Sequence, residues 1–160
     1  MTPEEYELDR IVVNGIIRYL VPLMAPLILL VDDFEDARDI YSTYLRFHGL
    51  RVAVAASGAE AIGMARAERP DLVLLDVRMP IMTGTEAMRI LRTDQTLNDI
   101  PIVALTALAL EEERVEALAA GFDAVIPKPC LPDDLLSAVR RLLTNASPPT
   151  TTTSVIPGDC

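Results

Sequence analysis

The 160-residue chain, half hydrophobic and only 4% aromatic, has the length of one domain with one good core. Its aliphatic bias suits an α/β core better than an all-β sandwich. A net charge of −10 argues against direct nucleic-acid binding, because phosphate contacts need clustered Lys and Arg.

Residues 1–25 read as an N-terminal extension. Glu4, Glu5, Glu7 and Asp9 precede an apolar stretch from Ile11 to Met24, whereas a signal peptide wants a positive start. Ile11 to Pro26 is too short for a membrane span and contains Arg18 and Pro22. Two readings stay open: a short helix that packs on the domain or a partner, or a misassigned start. The second is favoured, because M-A-P-L-I-L-L-V-D-D from Met24 opens directly into a strand.

Leu27 to Val31 is a continuous apolar run that ends in Asp32 and Asp33, as expected of a strand buried on both faces. Ala37, Ile40, Tyr41, Tyr44 and Leu45 then recur at helical spacing, and Gly49 stops the helix. The one histidine, His48, falls at that helix end, where it favours the helix dipole. A lone histidine makes no metal site. Leu50 to Ala55 reads as a second strand, followed by a helix capped by Ser57 with Gly58, Ala61, Ile62 and Ala65 inward.

Asp71 to Asp76 reads as the third strand and ends in an acid, before a loop holding Pro80 and Gly84. A helix from about Thr85 turns Ala87, Met88 and Leu91 inward. Ile100 to Leu105 makes a fourth strand ending at Thr106, and a helix then runs to Ala120 and stops at Gly121. Its Glu111, Glu112, Glu113 and Glu116 offer an acidic partner face or a solvated helix N-terminus, and the second reading is favoured. Ala124 to Pro127 is a short fifth strand running into Lys128 and Pro129. Pro132, Asp133 and Asp134 open a last helix with Leu135, Val139 and Leu142 inward. From Asn145 the Pro, Thr and Ser content reads as a disordered tail, 145–160.

Strands alternating with helices call for a parallel sheet covered on both faces. The common five-stranded arrangement is the flavodoxin-like (βα)5 three-layer sandwich of order 2-1-3-4-5. Pro127 is consistent with an edge strand there. In that order Asp32, Asp33, Asp76, Thr106 and Lys128 converge on the C-terminal rim, where open α/β sheets bind ligands. Lys128 is the only lysine beside thirteen arginines.

Two carboxylates about 4 Å apart repel by roughly 4 kcal/mol at an effective dielectric of about 20, so three such pairs cost on the order of 12 kcal/mol. Protons or a cation must relieve this. An all-oxygen site with few protein ligands suits Mg²⁺ best. Three carboxylates, one ammonium and Mg²⁺ sum to zero, a site ready for a dianionic phosphoryl group. Cys130 and Cys160 lack metal-ligand spacing, and an unpaired set fits a reducing cytoplasm.

The segments L-L-V-D-D (Leu29–Asp33), L-L-D-V-R-M-P-I-M-T-G (Leu74–Gly84), A-L-T-A (Ala104–Ala107) and K-P (Lys128, Pro129) resemble the receiver domains of two-component response regulators, of the stand-alone, chemotaxis-regulator kind. The resemblance covers residues 26–144. It implies that Asp76 is the phospho-acceptor for a sensor histidine kinase or histidine phosphotransfer protein. Asp32, Asp33, Asp76 and the backbone carbonyl of Arg78 would hold Mg²⁺. Lys128 would pair with a phosphoryl oxygen, Thr106 would move its hydroxyl onto the phosphoryl group, and the Lys128–Pro129 bond would be cis.

The family usually carries an aromatic three residues before the lysine, and here that position is Val125. The aromatic that often follows Lys-Pro is replaced by Cys130. An aromatic rotamer switch at Val125 is therefore impossible. Arg78 and Leu108 flank the site and are candidates for tuning water access.

The resemblance implies a cytoplasmic phosphorelay protein, not an enzyme but an acceptor that assists its own phosphorylation and dephosphorylation. Its output would be protein–protein contact or onward phosphotransfer, with no direct nucleic-acid or membrane contact. One alternative is a phosphatase of the haloacid dehalogenase type, but its Asp-x-Asp motif is absent from Asp32-Asp33-Phe34-Glu35. Another is a pseudo-receiver that binds proteins without chemistry, against which Asp33, Asp76, Thr106 and Lys128 count.

Overall fold

The computed structural model describes residues 25–107 and 110–146. The expectations for residues 1–24, for Leu108 and for the tail beyond 146, including Cys160, lie outside the described residues.

The described residues form five strands: β1 (Leu27–Val31), β2 (Arg51–Ala55), β3 (Leu72–Asp76), β4 (Ile102–Thr106) and β5 (Ala124–Pro127). They alternate with α1 (Glu35–Phe47), α2 (Gly58–Glu68), α3 (Gly84–Thr93), α4 (Glu111–Ala120) and α5 (Pro132–Ala146). All pairings are parallel and the order is β2-β1-β3-β4-β5. This is the flavodoxin-like order, and it sets β5, with Pro127, at an edge.

The two-residue period of the strands divides the core in two. Leu29, Val31, Val73, Leu75, Ile102 and Ala104 pack on one face against Ala61, Ile62 and Ala65 of α2 and Ala87, Met88 and Leu91 of α3. Ile28, Leu30, Leu72, Leu74, Val103 and Leu105 pack on the other against Tyr41 and Leu45 of α1 and Leu135, Leu136 and Val139 of α5. β1, β3 and β4 are buried along their whole length, which is why their sequences do not alternate.

The expected element ends shift in four places: β3 begins at Leu72 rather than Asp71, α5 runs to Ala146 past the expected start of the tail at Asn145, and β2 and β4 begin later than expected. Leu50 precedes β2, because its N–H donates to Leu45 O and closes the end of α1. β4 starts at Ile102, since Pro101 has no N–H to pair, although its carbonyl accepts from Val73 N. Among the residues expected inward on α1, Ile40 is 57% exposed. Neighbouring positions on a helix point about 100° apart, and Tyr41 takes the core-facing direction.

The turns follow from local chemistry. Gly49 adopts φ +85°, a conformation that costs glycine little. Ser57 accepts from Glu60 N, and Thr83 and Glu86 form a reciprocal capping box at α3. Asp71 receives Leu27 N on its carboxylate at 2.7 Å, tying the start of β3 to the start of β1.

Candidate functional site

The parallel registers bring the C-terminal ends of four neighbouring strands to one rim. Val31 pairs with Leu75, Asp76 with Leu105 and Thr106 with Pro127. The next residues along β1 and β5 are Asp32 and Lys128. Chain topology alone therefore gathers side chains from positions 32, 76, 106 and 128.

The loops then aim them. Phe34 N donates to Asp32 Oδ1 at 2.9 Å, and the Arg38 guanidinium donates to Asp32 O at 2.8 Å. Arg78 N donates to Asp76 Oδ1 at 3.0 Å. Lys128 N donates to Thr106 O at 2.8 Å, and the Lys128–Pro129 bond is cis. Gly84 N reaches back to Val77 O at 2.9 Å. A Cβ on Gly84 would lie 2.1 Å from Asp76 O, so only glycine lets this loop fold over the end of β3.

Asp32, Asp33 and Asp76 each offer a carboxylate oxygen, all within 4.8 Å of one another. Asp32 is wholly buried, Asp76 is nearly so, and Asp33 is open to solvent. The Lys128 ammonium donates to Asp32 Oδ2 and stands 3.4 Å from Asp76 Oδ2. Burial raises the Asp76 pKa from its ordinary value. The charge of Asp32 adds to that rise, and Arg78 N and Lys128 oppose it. Burial disfavours the Lys128 ammonium, but its bonds and attraction to Asp32 and Asp76 outweigh this and raise its pKa. One lysine thus relieves part of the repulsion among three carboxylates.

Thr106 is fully buried, and its hydroxyl has no hydrogen-bond partner among the described residues. A buried hydroxyl left unpaired is costly, so this one is a donor held in reserve at the rim. The three carboxylates form an all-oxygen set that suits a hard divalent cation with retained waters. Asp33 gives that set its open side.

The other residues singled out from the sequence are placed as follows. Val125 pairs with Ala104 and packs, half-buried, against the α2–α4 side of the core. Arg78 is exposed, with its guanidinium 3.8 Å from Glu113. Glu111, Glu112 and Glu116 are exposed at α4, and Glu113 accepts from Leu110 N. His48 is the C-cap of α1 and its ring packs on Tyr44, with centroids 4.5 Å apart. Cys130 is half-buried, and burial raises its thiol pKa, with the charge of Asp134 adding to the rise.

Two supports escaped the sequence reading. The Tyr41 hydroxyl donates to Cys130 O at 3.0 Å and so ties α1 to the turn that carries Lys128. Tyr41 reads from its spacing as a core residue, and nothing local marks a partner 89 positions away. Arg38 is the second, and it gives no signal beyond a charge on a helix.

The profile of the response regulator receiver domain matches residues 28–140. The chain belongs to this receiver family. Response regulator MprA of Mycobacterium bovis is 42% identical over 125 residues, covering 78% of this chain and 54% of the relative. MprA of Mycobacterium sp. strain KMS is 43% identical over 121 residues, covering 76% and 52%. The chain therefore spans about half the length of the curated relatives it matches.

Among solved structures, the chemotaxis protein CheY4 of Vibrio cholerae superposes with a TM-score of 0.70 at 34% identity. That match covers 73% of this chain and 98% of CheY4. The receiver domain of a Pseudomonas aeruginosa sensor histidine kinase, with a magnesium ion coordinated in its active-site cleft, gives 0.69 at 33% identity. It covers 75% of this chain and 98% of that receiver. No helix among the described residues is long and apolar enough to cross a membrane.

Proposed function

We propose that this receiver accepts a phosphoryl group on Asp76 from the phosphohistidine of a sensor kinase or phosphotransfer protein. One observation carries the reading. A triad of carboxylates, a lysine between two of them and an unpaired buried hydroxyl meet at one rim. Structural ion pairs do not need the hydroxyl, and a dianion in this place gives every member a partner.

Asp76 acts as the nucleophile through a carboxylate oxygen. A P–O bond forms as the P–N bond to the donor imidazole breaks, and the electron pair stays with the imidazole. The product is an acyl phosphate. Arg78 N fixes the other carboxylate oxygen through its bond to Asp76 Oδ1, which leaves Oδ2, beside Lys128, to attack. Lys128 offers its ammonium to a phosphoryl oxygen, and Thr106 gives its hydroxyl to another.

Asp32, Asp33, Asp76 and the carbonyl of Arg78 would hold Mg²⁺. When bound, this ion neutralises phosphoryl charge during in-line transfer. Phe34 N and Lys128 orient the Asp32 carboxylate. The chain is an acceptor that promotes its own phosphorylation and dephosphorylation, and it works in the cytoplasm. The output is protein contact or onward phosphotransfer by this domain. Half-buried Val125 stands where an aromatic switch would be, so Thr106 acts directly on β4.

The test is intact mass after incubation with acetyl phosphate, with and without Mg²⁺. A gain of one phosphoryl group that requires Mg²⁺ supports the reading. No gain from acetyl phosphate or from a panel of phosphorylated kinases would identify a protein-binding module without the chemistry.

A further inference from the structure

α1 bonds to both sides of the rim. The Arg38 guanidinium donates to Asp32 O at 2.8 Å, and the Tyr41 hydroxyl donates to Cys130 O at 3.0 Å. Residues three apart share a helix face, so a single turn of α1 grips the end of β1 and the turn after β5. The first grip holds a residue of the carboxylate triad. The second holds the backbone two residues beyond Lys128.

The turn after β5 has few bonds of its own. At its start Lys128 N donates to Thr106 O at 2.8 Å, and at its end Leu135 N donates to Leu131 O at 3.0 Å. Between them Pro129 has no N–H to give, and the Cys130 carbonyl lies ahead of the α5 ladder. A carbonyl so placed takes its donor from another part of the fold. Tyr41 is 9% exposed, and a buried tyrosine hydroxyl needs a partner. Each group satisfies the other.

The side chain this turn carries is sensitive to its place. The Lys128 ammonium donates to Asp32 Oδ2 and stands 3.4 Å from Asp76 Oδ2. Phe34 N and Arg38 fix the Asp32 end of that bridge. The Asp76 end is already longer than the common range of about 2.7–3.2 Å, so a displaced turn alters the contact with Asp76 first. Tyr44, one helical step beyond Tyr41, bonds instead to the Asp133 carboxylate in the first turn of α5.

We propose that Tyr41 is a positioning residue for phosphoryl transfer, whose hydroxyl holds the Cys130 carbonyl and thereby sets the Lys128 ammonium beside Asp76 Oδ2. It acts through the backbone, not on the reacting atoms. Its effect on rate rests on the phosphoryl-acceptor reading, whereas its hold on Lys128 does not.

The test uses the full chain and its only lysine, Lys128, which on selective ¹³Cε-lysine labelling gives a single side-chain resonance. Tyr41→Phe keeps the ring and its packing and removes only the hydroxyl. In metal-free buffer the Lys128 resonance should move by more than its line width in Tyr41→Phe. It should stay in place in Tyr44→Phe, which loses a bond of the same kind to a side chain of α5. An unmoved resonance in Tyr41→Phe overturns the proposal. Equal movement in both variants overturns it too, since that reports a general loosening of α1 against α5.

Phosphorylation rates read the consequence separately. With acetyl phosphate and saturating Mg²⁺, Tyr41→Phe should gain its phosphoryl group on the order of tenfold more slowly than the parent. Tyr44→Phe should react at the parent's rate. A parent-like rate for Tyr41→Phe overturns the role in transfer. If no form takes up phosphate, the parent included, the acceptor reading fails while the lysine resonance still decides whether Tyr41 holds Lys128.

Discussion

The ammonium of Lys128 stands 3.4 Å from Asp76 Oδ2 while donating its hydrogen bond to the buried carboxylate of Asp32. The lysine is shared, so Asp76 is only partly neutralised. The proposed phosphoryl transfer rests on this buried, incompletely paired carboxylate at a strand end.

The first prediction concerns acid. The folded-state pKa of Asp76 is raised, chiefly by burial. The folded form therefore holds its proton more tightly than the unfolded form, and stability falls as pH rises through the folded pKa. The protonated carboxyl's contribution is fully present below the unfolded value of 3.8 and is lost above the folded one. In metal-free buffer at pH 7, Asp76→Asn should be more stable than the parent by on the order of 1 kcal/mol. Urea unfolding at a series of pH values should show that advantage shrinking as pH falls toward 4. An advantage that grows on acidification would contradict the raised pKa.

A second prediction separates metal binding from folding. Asp33 is exposed, so Asp33→Ala should leave the metal-free unfolding midpoint within about 0.5 kcal/mol of the parent. Mg²⁺ at one hundred times its dissociation constant should stabilise the parent by about 2.7 kcal/mol. The same concentration should stabilise the variant much less. Titration calorimetry and thermal melts with and without chelator measure both numbers.

Thr106 provides the third. Its hydroxyl is buried and unpaired, so Thr106→Val removes a desolvated group without changing shape much. The unphosphorylated protein should be unchanged or up to about 1 kcal/mol more stable. The variant should still take up phosphate, but the shift of β4 amide resonances on phosphorylation should be lost. A destabilised variant would mean that the hydroxyl has a partner in the resting state.

The fourth is steric. Alanine at position 84 would set its Cβ 2.1 Å from Asp76 O and 2.8 Å from Val77 Cα, both backbone atoms that cannot move aside cheaply. Gly84→Ala should cost more than about 3 kcal/mol, beyond ordinary overpacking. It should also weaken Mg²⁺ binding, because the loop it displaces carries Arg78. Chemical denaturation of the variant beside Gly63→Ala, whose Cβ meets nothing within 4 Å, isolates the effect.

The strands of the inner sheet were legible because burial on both faces leaves unbroken apolar runs, as in Leu27–Val31 and Leu72–Leu75. The site was legible for a related reason. Each run ends in a residue unlike it, Asp32, Asp76 or Thr106, and parallel topology converts those ends into neighbours. Ile40 misled because helical spacing tolerates one extra apolar residue beside the true inner face at Tyr41. Tyr41 and Arg38 were invisible as supports, since their partners are backbone carbonyls that no side-chain pattern encodes. Ile81, with φ +70° and full exposure, carries no sequence mark of its unusual backbone. Its conformation comes from the turn between Pro80 and the capping box at Thr83.

The most direct measurement is the position of the phosphoryl group itself. After reaction with a phosphodonor and Mg²⁺, borohydride reduction converts an aspartyl phosphate to homoserine, and peptide mass spectrometry locates the changed residue. Homoserine confined to position 76, and absent from Asp76→Asn treated alike, is the expected result. Homoserine at Asp32 or Asp33 in the parent, or equal labelling of the Asp76→Asn chain, would contradict Asp76 as the acceptor.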